Sequence, residues 1–149
     1  MKRKYGIERI LKLERFLYNR GGKAGDKIAH FIKIISRVIY ACDISYKAEI
    51  SESCSFPHQG LGVVIGDKAK IGKNCIIRQN VTIGAKGCNS CENPEIGDGC
   101  MIGAGAIILG GIKIGSNVQI GANAVVVDDV PDNVIVGGIP AKIIKCVGR

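Results

Sequence analysis

Two histidines, His30 and His58, are the only imidazoles in this 149-residue chain, and one of them stands where an imidazole can do chemistry. His58 lies between Pro57 and Gln59, in a break of an otherwise regular pattern. His30 adjoins Phe31 in a segment of helical periodicity, where a packed or surface role suffices. A neutral imidazole accepts a proton near physiological pH, which is what activating a hydroxyl as a nucleophile requires. Asp43 precedes His58 by fifteen residues. A carboxylate accepting from one ring nitrogen fixes the tautomer and leaves the other nitrogen as base. Read alone, Asp43 also fits a helix C-terminal or turn position. The Cys88-Asn89-Ser90-Cys91 segment invites a zinc reading, but one CxxC supplies two ligands where a zinc site usually takes four. No metal is expected.

The element that must position these residues is a six-residue repeat. Aliphatic residues stand at Ile44 and Ile50, with Phe56 as an aromatic variant, then at Ile65, Ile71, Ile77 and Ile83. The series resumes at Ile96, Ile102, Ile108, Ile114, Ile120 and Val126. Gly commonly follows the aliphatic residue (Gly66, Gly72, Gly84, Gly97, Gly103, Gly115, Gly121), and a small or apolar residue stands four after it. This spells one short strand and one turn per repeat, with Gly relieving the bend and the aliphatic side chain stacking inward on adjacent coils. Three such strands make a triangular coil of about eighteen residues, so Asp43 and His58 lie nearly one coil apart. A two-layer sandwich would need longer strands and no fixed register. The two interruptions, Pro57 to Val64 and Ala85 to Glu95, are where insertions on a binding face are sought.

Ahead of the repeat, apolar residues fall at helical spacing from Tyr5 to Leu17 and from Ile28 to Ile39, with a Gly-rich break at 19–25 and Asp26 as N-cap of the second helix. At this length one domain with a terminal extension is expected: a basic helical segment over 1–40 and a β-helix domain over 43–145. Residues 1–40 hold 11 Lys/Arg against 3 Asp/Glu, and the remainder is balanced. That excess would attract anionic lipid, nucleic acid or a phosphate-bearing ligand, although a solvated helix face would carry it equally well. No nucleic-acid partner is expected. Seven unevenly spaced cysteines argue against a disulfide framework, and neither a cleavable leader nor a membrane span is visible. A cytoplasmic setting is expected, with 1–40 available for peripheral contact with the inner membrane face.

Residues 43–145 resemble the serine acetyltransferases and the neighbouring polysaccharide-biosynthesis acetyltransferases of the bacterial hexapeptide-repeat superfamily. The resemblance rests on Asp43-Ile44, on His58 with Gly62-Val63-Val64, and on Gln79-Asn80-Val81-Thr82-Ile83-Gly84. Met101-Ile102-Gly103-Ala104-Gly105-Ala106 and Gly138-Ile139-Pro140-Ala141-Lys142 complete it. It implies a left-handed parallel β-helix, a homotrimer with active sites between subunits, and acetyl-CoA as co-substrate in a groove between coils. His58 would match the family's general base and Asp43 its partner. Gly84 and Ala85 would match the amides that meet the thioester, and Gly103, Ala104 and Ala122 the backbone along the pantetheine arm. Lys142 falls where a cation would meet CoA phosphates.

The acceptor pocket departs from true serine acetyltransferases. There the residue before the catalytic His is Asp and the second loop ends Arg-His-Pro; here the corresponding residues are Pro57 and Glu92-Asn93-Pro94. A cation that would pair with serine's carboxylate is replaced by an anion. The expected activity is O-acetyl transfer to a small hydroxyl acceptor such as L-serine. The alternatives are a sugar acceptor in capsular or exopolysaccharide assembly and, from another class, a catalytically inert scaffold or membrane-binding β-helix.

Overall fold

The computed structural model of the chain describes residues 6–87 and 92–147. Two helices, α1 (Gly6–Arg20) and α2 (Gly22–Tyr40), lead into a left-handed parallel β-helix of short strands. One residue, Gly21, separates the helices. The break is tighter than the sequence suggests because Leu17 and Gly25 touch: a Cβ on Gly25 would lie 2.2 Å from the Leu17 carbonyl oxygen. Asp26 therefore falls inside α2 rather than capping it, and its carboxylate accepts a hydrogen bond from the Tyr46 hydroxyl at 3.0 Å.

Three sheets form the triangular prism. The first stacks β1 (Asp43–Ile44), β3 (Val64–Ile65), β6 (Thr82–Gly84), β9 (Ile107–Leu109) and β12 (Val125–Val126). The second stacks β2 (Glu49–Ile50), β4 (Lys70–Ile71), β7 (Glu95–Ile96) and β10 (Lys113–Ile114). The third stacks β5 (Ile76–Ile77), β8 (Met101–Ile102), β11 (Gln119–Ile120) and β13 (Val134–Gly138), and the antiparallel β14 (Ala141–Cys146) closes it. In register, Ile44, Ile65, Ile83, Ile108 and Val126 form one inner column, and Ile50, Ile71, Ile96 and Ile114 a second. Ile77, Ile102, Ile120 and Val136 form the third. These side chains are almost wholly buried, and each such burial is worth roughly 2–3 kcal/mol.

At Gly72, Gly97, Gly103 and Gly115 the glycine after the aliphatic residue serves the stack rather than the bend, since a Cβ there would lie under 3 Å from the backbone of the next coil. At Gly103 a Cβ would come 2.6 Å from the Ala122 nitrogen, so a side chain there would push neighbouring coils apart. The bend itself is made two residues later, where Asn74, Asn80, Asn117, Asn123 and Asn133, or Gly99 and Gly105, adopt positive φ. Asn and Gly are the residues that tolerate this left-handed backbone.

The first coil has no predecessor to bond, and α1 supplies what is missing. Glu8 accepts a hydrogen bond from the Phe56 amide at 3.1 Å, Arg15 donates to the Ile50 carbonyl, and Ile7 and Leu11 join the core. Two backbone groups of an otherwise open edge are thereby satisfied. Outward faces differ by sheet. The second sheet presents Glu49, Lys70, Glu95 and Lys113, with Lys70 and Glu95 paired at 2.8 Å. The first presents Val64, Thr82, Ile107 and Val125, and the third Ile76, Met101, Gln119 and Ile135.

Candidate active site

His58 is carried by a short 3-10 turn, Pro57–Gly60, at the corner between the third and first sheets. Its backbone is left-handed (φ 56°, ψ 27°), and Gln59 follows in the same conformation at φ 59°. Each non-glycine residue held this way costs about 1–2 kcal/mol. The surrounding bonds hold the turn: Leu61 N donates to the His58 carbonyl at 3.2 Å, Gly62 N to Ala41 at 2.8 Å, and Asn80 N to Leu61 at 2.8 Å. The result is an imidazole lifted out to solvent from a fixed base. Strain of this kind, kept beside a titratable side chain, motivates a functional reading.

Asp43 opens β1 at the same corner, with its amide donating to Val63 at 2.8 Å. Its carboxylate faces α2: Lys33 Nζ lies 2.8 Å from Oδ1 and Arg37 Nη1 3.6 Å from Oδ2. Among the described residues no hydrogen bond joins Asp43 to His58. Lys33 also helps hold Glu14, which is buried between the helices and accepts a 3.4 Å hydrogen bond from Ser36. Burial pushes the Glu14 carboxyl up to about 7, against smaller opposing effects of Ser36 and Lys33. The two cations are functional candidates that sequence reasoning missed. Their four-residue spacing on the last turns of a helix just before Asp43 is the signal that could have found them.

The remaining site residues divide between two edges of the first sheet. Gly103, Ala104 and Ala122 lie at the corner that also carries His58, on later coils, because Ile102 and Ile120 stack above Ile77. Gly84 ends β6 at the opposite edge, followed by Ala85 and the second interruption. A Cβ on Gly84 would meet open space, so the backbone there is approachable. Glu92 lies against Gly111 and Asn93 against Gly66, so the returning limb of that loop touches coils on either side. From Gly62 to Gly66 the sheet runs about 13 Å at 3.3 Å per residue. One chain thus brings His58 and Asp43 to one corner but leaves Gly84, Ala85, Glu92 and Asn93 at another. Pro57, next to His58 in the chain, is half-buried, and Lys142, exposed on β14, lies 3.9 Å from Asp128.

Cys88 and Cys91 lie outside the described residues. Cys54, Cys75 and Cys100 are buried on successive coils, each thiol donating to a glycine carbonyl at 3.1–3.2 Å. Among the described residues, no group of three or more His, Cys, Asp or Glu is gathered to hold a metal.

Comparison with known proteins places this geometry in context. The bacterial transferase hexapeptide (six repeats) family matches residues 93–128. A serine acetyltransferase of Staphylococcus epidermidis is 45% identical over 122 residues, covering 81% of this chain and 57% of that protein. The solved serine acetyltransferase of Neisseria gonorrhoeae in complex with serine superposes with a TM-score of 0.83 at 37% identity, covering 93% of this chain and 55% of that one. That of Brucella abortus in complex with coenzyme A gives 0.87 at 35% identity, covering 94% and 55%. The chain spans a little over half the length of the relatives it matches.

Proposed function

From the premise that this is a hexapeptide-repeat, serine acetyltransferase-like chain, we propose that it is an acetyl-CoA-dependent O-acetyltransferase. The observation that carries the reading is His58, held by a strained left-handed turn at a corner shared with Asp43, on a fold whose relatives were solved with serine and with coenzyme A. His58 takes the proton of an acceptor hydroxyl as its oxygen attacks the thioester carbonyl. The backbone amides at Gly84 and Ala85 steady the tetrahedral oxyanion, and collapse expels the CoA thiolate, to which the imidazolium returns the proton. The products are an acetyl ester and free CoA. Asp43, paired with Lys33 and Arg37, stabilises the imidazolium from the same corner.

The separation of His58 from Gly84 supports a homotrimer, in which one subunit's histidine corner faces the next subunit's Gly84 edge. The apolar outward residues of the first and third sheets supply a surface for that packing, whereas the charged second sheet stays in solvent. Gly103, Ala104 and Ala122 would line the CoA arm and Lys142 meet its phosphates. The acceptor is L-serine, as in the named relatives. Glu92 and Asn93, in place of a cationic loop end, favour a neutral sugar hydroxyl as the second reading. An acetyl-CoA donor fits a cytoplasmic setting.

Thiol release from acetyl-CoA, measured with L-serine and with a panel of sugars, tests both. His58→Ala is expected to lower turnover at least about a hundredfold, as loss of a general base does. Equal rates in the two proteins remove His58 from the mechanism. Turnover on a sugar but not on L-serine moves the acceptor to the second reading.

A further inference from the structure

α2 carries an apolar stripe that nothing in the described structure covers. Ile28, Phe31, Ile35, Val38 and Ile39 recur at three- and four-residue steps and are 41–82% exposed, Val38 most of all. The helix buries its other side, Gly25, Ala29 and Ser36, against α1 and the coil. Lys23 and Lys27 border the stripe, and on α1 the exposed Phe16 has the Arg20 guanidinium 5.4 Å over its ring.

We propose that this helical hairpin docks on an anionic lipid surface, with α2 lying in the plane of the interface. The choice of occupant rests on charge. Residues 1–40 hold the chain's whole positive excess, so two copies apposed along α2 would bring like charges together. An anionic bilayer instead takes the apolar side chains and the cations at once. No described helix is long and apolar enough to cross a membrane, so the contact is peripheral. It stands independently of the acetyl-transfer reading.

The test is co-sedimentation of the full chain with phosphatidylcholine vesicles, with and without phosphatidylglycerol. The protein is expected to partition onto the anionic vesicles only. Phe31→Asp with Val38→Asp, and separately Lys23→Glu with Lys27→Glu, should each lower the partition coefficient at least about tenfold. Thiol release by both variants should stay at the wild-type rate, which separates a failure here from a failure of the catalytic assignment. Absence of wild-type binding to anionic vesicles overturns the proposal. So does binding that the Phe31/Val38 variant retains, or a stripe variant that splits an assembly in solution while still binding vesicles.

Discussion

The β-helix and the helical hairpin divide polar and apolar groups in opposite ways. In the coils every inner column is aliphatic and the charged residues point outward, as Glu49, Lys70, Glu95 and Lys113 do on the second sheet. The hairpin buries a carboxylate, Glu14, and turns Phe31 and Val38 to solvent. A stack that satisfies itself needs only the next coil. A hairpin built the other way round is shaped by what it touches: the first coil on one side, through Glu8 and Arg15, and an external surface on the other.

The contrast can be broken by one kind of truncation applied to both regions. Ile102→Ala, in the third inner column, should cost about 3 kcal/mol in denaturant unfolding, since it removes a fully buried side chain and leaves a cavity between coils. Phe31→Ala should change the same midpoint by no more than about 0.5 kcal/mol. A large loss at Phe31 would mean that its stripe is folded against protein after all.

A second measurement lies between these in size. Because burial raises the Glu14 carboxyl from 4.5 to about 7, the folded chain binds its proton more tightly than the unfolded chain does. The carboxyl is no burden below pH 4.5, and stability falls as the pH rises from there towards 7. Glu14→Gln should therefore be more stable than the wild type by about 2 kcal/mol at pH 8, with the gap closing near pH 4.5. A gap independent of pH would show that the carboxyl is not held neutral.

Much of this was legible in the residues because the repeat writes each inner column at a fixed step. Ile65, Ile83 and Ile108 could be assigned to one side of the prism by counting, and the two interruptions announced themselves as departures from the count. The glycine was legible only in part. Its position was plain, but its reason, clearance between coils at Gly103, depends on Ala122 a whole coil away. The left-handed turn residues Asn80, Asn117 and Asn123 recur three residues after an inner-column Ile, but a hydrophobic register carries no sign of φ. Lys33 and Arg37 were hidden for another reason: helical periodicity gives the face of a residue, not which strand that face meets. Asp26 is the same lesson, since a sound N-cap residue was drawn into α2 by the contact between Leu17 and Gly25.

The ends of the prism bear on how such a chain acquires its length. A hexapeptide register contains no instruction to stop, since each coil offers the next one the same row of amides and carbonyls. Here α1 answers the first row at Ile50 and Phe56, and β14 folds back to occupy the last row of the third sheet. The number of coils is thus a property of the terminators rather than of the repeat. Coils can be gained or lost between them by duplication or deletion of one register unit, leaving the histidine corner at its fixed distance from the starting cap.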